Sequence, residues 1–100
     1  MKVIYKYPIL HNGMTIRAPF IEPLDIQYQD GIPTLWAVVD TEREADVEVC
    51  VCILPTGLPF HENPGTYFRT LQDDAGYVWH FFIEARAIEI MPSEVSAVCH

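Results

Sequence analysis

The stretch LPTGLPFHENPG, residues 54–65, leads directly into TYFRTLQ. Together they bring Thr56, the backbone N–H of Gly57, Phe60 and His61 close in the chain to Tyr67 and Arg69. An aromatic face, a guanidinium fork, a hydroxyl and free amides are the parts a small nucleotide-like anion needs. Three prolines in these twelve residues stiffen the connection, and a stiff loop makes a good recognition edge. The plainer reading is an ordinary hairpin connection. Downstream, His80 lies between Trp79 and Phe81, as a hydrogen-bonded packing residue or as a further ligand-binding residue. Lys6 is a further cation for a phosphate, and Trp36 a further ring for stacking.

Catalytic chemistry finds little support in the residue types. The two serines, Ser93 and Ser96, lie near the end of the sequence, and no Gly-x-Ser-x-Gly elbow surrounds either. Cys50 and Cys52 fall in the middle of an alternating run, where nothing local lowers a thiol pKa. His61-Glu62 lacks the remainder of a zinc-helix signature. Cys50, Cys52, Cys99 and His100 do not have the spacing of a metal site, and small, apolar-like cysteines are common in sheets. The expectation is a non-enzyme with no catalytic residues, no metal and no cofactor.

The elements that must position these residues are strands. Short β-branched and aromatic runs, separated by Gly, Pro, Asn and Asp, recur about every ten residues, and helical periodicity is nearly absent. The predicted strands are Val3–Tyr7, Met14–Arg17, Leu24–Gln29, Thr34–Asp40, Asp46–Leu54, Thr66–Gln72 and Tyr77–Ile83, with a break over Ala18–Pro23. This is an all-β chain, a small antiparallel sandwich or partly open barrel of about six or seven strands. Residues 1–83 form one β domain. Residues 84–100 are a tail, a strand extension or short helix interrupted at Pro92, that docks on the domain or on a neighbouring subunit.

Asp30-Gly31 is a two-residue hairpin signal, because a type I′ turn needs positive φ at both centres. The implied register sets Gln29 opposite Ile32, Tyr28 opposite Pro33, Gln27 opposite Thr34, Ile26 opposite Leu35, Asp25 opposite Trp36 and Leu24 opposite Ala37. Opposed residues share a face. Leu24, Ile26, Tyr28, Pro33, Leu35, Ala37 and Val39 then make a core face, and Trp36 falls among the glutamines and Asp25. There it is covered by another segment, buried at a subunit interface or exposed as a stacking platform. In the next strand Val47, Val49, Val51 and Ile53 are the core row. The second hairpin turns through Asp74-Ala75-Gly76, which places Thr70 opposite His80 and Arg69 opposite Phe81; a four-residue loop would set Arg69 opposite His80.

Six Lys and Arg against fourteen Asp and Glu give a net charge of −8. Such a balance opposes a grip on DNA or RNA, which requires several phosphates to be neutralised together. One hundred residues suit a single domain. No apolar run approaches the ~20 residues of a membrane span. At the start, Lys6 and Pro8 interrupt any signal-peptide core. Three cysteines without framework spacing suit reduced thiols. A cytoplasmic location is expected.

The segments IYKYPI, QYQDGIPTLWAVVD, PTGLPF, YFRTLQ and YVWHFF, in this order, resemble a family of small phage and prophage proteins of unknown function. The likeness spans residues 4 to about 83 and leaves the tail outside it. It implies a phage setting, in the cytoplasm of a host cell, where small proteins without catalytic motifs act by occupying something. The leading expectation is an oligomeric sponge that sequesters a nucleotide-derived immune signal, with Trp36 or Tyr67 stacking on a base and Arg69 or Lys6 meeting phosphate. The alternative is a protein-interaction module, an inhibitor of a host enzyme or a virion accessory, that uses Trp36 and the acidic Glu42–Glu48 edge.

Overall fold

The structure, a computed structural model, describes residues 1–88. Over them run seven strands: β1 (Lys2–Pro8), β2 (Met14–Ala18), β3 (Phe20–Gln29), β4 (Ile32–Asp40), β5 (Val47–Pro55), β6 (Thr66–Gln72) and β7 (Val78–Ala87). They form two antiparallel sheets, ordered β1-β4-β3 and β2-β5-β7-β6, that face one another as a sandwich and do not close into a barrel. Alternation dictates what lies between them. Ile26, Leu35, Ala37 and Val39 from the first sheet meet Val49, Val51, Phe81 and Ile83 from the second, all nearly inaccessible to water. Burying a side chain of this size contributes about 1.5–3 kcal/mol, so this row dominates the stability of the domain.

The first hairpin follows its turn chemistry. Asp30 and Gly31 both adopt positive φ, at 52° and 79°, and the pairs from Gln29–Ile32 to Asp25–Trp36 stand in the expected register. Beyond Asp25 the expectation fails. A β-bulge between Pro23 and Asp25 sets Pro23 opposite Ala37 and leaves Leu24 unpaired and exposed, off the core face. The break expected over Ala18–Pro23 also shrinks to Pro19, because β3 already begins at Phe20, whose ring is buried opposite Val39. Pro19 accepts a bond from Asp40 N–H (2.9 Å) and marks the point where the chain passes from one sheet to the other.

Three residues of the mixed faces are more buried than their chemistry suggests. Thr34, 3% exposed, satisfies its hydroxyl by donating to the Ile32 carbonyl (3.1 Å). Glu48 is buried between its register neighbours Arg17 on β2 and Arg86 on β7. Cys50 is buried as well, and Cys52 is a free thiol.

The second hairpin takes the three-residue loop. Asp73 N–H bonds to the Tyr77 carbonyl (2.9 Å), Gly76 has φ 91°, and Thr70 and Arg69 pair with His80 and Phe81. Strand β7 runs on through Ala87, so Glu84–Ala87 extend the strand. Expectations for the rest of the tail, including a helix after Pro92, its docking and the Cys99–His100 half of the weighed metal set, lie outside the described residues. Among the described residues no helix is long and apolar enough to cross a membrane.

Candidate functional site

His80 sits on β7, the strand flanked on both sides in its sheet, with Leu54 of β5 and Thr70 of β6 as register neighbours. Alternation turns Trp79 and Phe81 inward and places His80 and Phe82 on the outer face. There both imidazole nitrogens are engaged: Nε2 is 2.7 Å from Thr56 Oγ1, and Nδ1 is 3.0 Å from Thr70 Oγ1. Thr70 Oγ1 in turn lies 2.7 Å from the Tyr67 hydroxyl. A neutral imidazole donates at one nitrogen and accepts at the other, and each hydroxyl can do either. The chain Tyr67–Thr70–His80–Thr56 is therefore satisfied in both tautomers, and it holds the ring in one plane. Phe82 packs edge-on to Tyr67, with ring centroids 5.8 Å apart.

Over this chain stands the connection after β5. Thr56 N–H bonds to the Val78 carbonyl (3.3 Å), and Gly57 takes φ 93°, turning the chain outward. The result is a hollow of about 280 Å³ floored by His80 and Phe82 and walled by Leu54, Thr56, Gly57 and Phe60. Phe60 also divides it from a second hollow of about 350 Å³ that holds Cys52, His61 and Glu62. Burial foremost, and then the charges of Glu62 and Glu84, push the Cys52 thiol up. It is a protonated wall residue and not a thiolate nucleophile.

Of the eight residues expected to bind, Thr56, Gly57, Phe60 and His80 line one hollow, and Tyr67 joins them through Thr70. The other three stand apart. In an unbroken strand Tyr67 and Arg69 would share a face, but a bulge between them pairs Tyr67 with outer Phe82 and Arg69 with inner Phe81. Arg69 leaves the sheet edge toward β3, where its Nε meets Asp25 Oδ1 at 3.1 Å. Lys6 and Trp36 lie on the outer face of the other sheet, paired with each other across β1 and β4, and Lys6 Nζ donates to Gln29 Oε1 (3.0 Å). Trp36 sits between Lys6 and Asp25, half-buried and outside the core cluster, on the polar side that the turn register implies.

Two participants were overlooked: Thr70, which the three-residue loop already sets opposite His80, and Phe82, two residues further along the same face. The larger cavity, about 470 Å³, lies on the inner side of this sheet and contains none of the eight.

The comparisons with known proteins add one match. The family model described as a domain of unknown function, DUF7352, covers residues 1–90. No curated protein and no solved structure matches the chain.

Proposed function

Because this chain belongs to the DUF7352 family, whose description carries no activity, we propose a function from its surface: a non-enzymatic binding protein that sequesters a small planar ligand on the outer face of β5, β7 and β6. The observation that carries this reading is the fixed imidazole–hydroxyl chain beside Phe60, Phe82 and Tyr67. A heterocyclic base can lie against these rings while its edge exchanges hydrogen bonds with Thr56 or the Gly57 amide.

Size and charge refine the proposal. At about 280 Å³ the hollow falls just below the ~300–1,000 Å³ of whole-ligand pockets, so it matches one base better than a complete dinucleotide. Arg69 and Lys6 are held by Asp25 and Gln29 on other surfaces. In this reading the phosphates meet cations supplied by a neighbouring copy, so that each chain is half of a site and the working form an oligomer. The resemblance to small phage proteins supplies the biological role, capture of a nucleotide-derived host immune signal in the host cytoplasm.

Thermal unfolding in the presence of cyclic dinucleotides and cyclic ADP-ribose isomers tests this. A binder at 100 times its Kd adds about 2.7 kcal/mol to the native state and releases the ligand chemically intact after heating. Sedimentation reports the oligomer separately. Absence of any shift across the panel rejects the sponge, and altered ligand would indicate an enzyme.

One observation favours a second reading. Leu58, Phe60 and Tyr67 are 65%, 55% and 56% exposed around the same hollow, an apolar rim suited to a protein partner. A host protein captured in stoichiometric amount, and lost on Leu58→Asp, would favour an interaction module.

A further inference from the structure

A cavity of the described residues opens between the inner faces of the two sheets, at the end where the Asp30-Gly31 and Asp74–Gly76 turns emerge. Its walls include Tyr28 and Pro33 from the first hairpin, Ile53, Trp79 and Phe81 from the second sheet and the polar Asn12, around an open volume of about 470 Å³. Asp73 stands at its rim, and an adjoining hollow adds Asp74 while sharing Tyr28, Gly31 and Asp73. Among the described residues, no Lys, Arg or His lines either space.

Asp73 is anionic. Its Oδ2 accepts from the Trp79 indole N–H (2.9 Å) and its Oδ1 from Ala75 N–H and Tyr77 N–H. These bonds, the indole first, hold its carboxyl below the usual range. Its field reaches the cavity wall: burial chiefly, and then Asp73 and Asp74, push the Tyr28 phenol up. Aromatic side chains and carboxylates around an open, largely apolar space match one kind of ligand. Ring quadrupoles attract a cation, an apolar interior accepts a weakly hydrated one, and the chain's charge of −8 raises its local concentration. A free anion meets the opposite field. A neutral apolar ligand gains contact with the walls but nothing from the rings' electrostatics or from the carboxylates.

We infer that this end of the sandwich is a binding site for a small organic cation, an alkylammonium whose charged head lies among Tyr28, Trp79 and the two aspartates. It is independent of the outer hollow and of the ligand proposed there.

The test is an amide and indole NMR titration of the full chain with choline and with 3,3-dimethylbutan-1-ol, its uncharged isostere. The chain has two tryptophans, so Trp79 reports on the cavity while Trp36, on the outer face of the other sheet, serves as an internal control. Choline should move the Trp79 indole and the Gly31 amide saturably, leave Trp36 still, and bind at least about tenfold more tightly than the alcohol. Asp74→Asn, at an exposed position outside the turn's hydrogen bonds, should weaken choline about two- to fivefold and leave the alcohol unchanged. Equal affinity for the two probes, shifts confined to the outer hollow, no saturation, or an unaltered choline affinity in Asp74→Asn would each overturn the assignment.

Discussion

Gly65 and Gly57 end and begin the connection over the outer hollow, and the two can be set against each other. Both have φ values that L-residues avoid, +103° and +93°, so an alanine at either strains the backbone by about 1–3 kcal/mol. They differ in their surroundings. A Cβ on Gly57 meets nothing within 4 Å, whereas on Gly65 it would stand 3.1 Å from the Ile83 carbonyl oxygen and 3.2 Å from its carbon. Those atoms belong to the backbone of β7 and cannot swing away, so crowding of the overpacking kind adds about 1–3 kcal/mol. Gly65→Ala should therefore destabilise by at least about 1 kcal/mol more than Gly57→Ala, or about 4–8 °C in Tm for a domain this small. It should also disturb the Phe60 wall, because Gly65 N–H closes the last turn of the loop on Asn63 Oδ1 (2.9 Å). Urea unfolding with matched slopes measures the difference. If Gly65→Ala is equal to or milder than Gly57→Ala, the tight approach of the loop end to β7 is not a feature of the folded molecule.

Thr34→Val removes the donor of a buried hydroxyl and leaves the Ile32 carbonyl one partner short, which should lower stability by about 1 kcal/mol in urea unfolding. A double-mutant cycle on Asp25 and Arg69, both partly exposed, should return a coupling of only about 0.2–1 kcal/mol that fades with added salt. Asp40, Asp46 and Asp73 are held below the ordinary aspartate range, by the α-amino group, by Arg43 and by the Trp79 indole respectively as the largest influence on each. Each thus contributes stability that is complete above the unfolded value of about 3.9 and lost as pH falls through the lowered native one, so the melting temperature should drop on that acid limb. The α-amino group, raised by Asp40 and then Glu42, has the opposite sign. Its share is complete below about pH 8 and is lost as pH rises through the raised native value, a limb that amino-terminal acetylation should abolish.

Local chemistry made part of this molecule legible in advance. The positive-φ pair Asp30-Gly31 determines which side chains oppose each other in the first hairpin, and so places Trp36 on the polar side. A glycine in the third position of the second loop likewise sets Thr70 against His80. Prediction failed where a strand departs from its period of two. The bulges at Leu24 and between Tyr67 and Arg69 each shift the residues that precede them, on the side away from the turn, out of the expected register. Arg69 keeps its expected place opposite Phe81 while Tyr67 turns to the outer face, so the two separate and Arg69 meets Asp25, a residue 44 positions away in the other sheet.

Alternating hydrophobicity and turn residues by themselves determined that this chain is all-β, that it has seven strands and how its two tight hairpins pair beside their turns, because those are interactions over a few residues of known geometry. Tertiary structure alone decided which strands share a sheet, that the loop after β5 folds back over His80, and that two distant turns frame a cavity beside Trp79. Those outcomes depend on packing two faces against one core, and no short stretch of chain contains both sides of that contact.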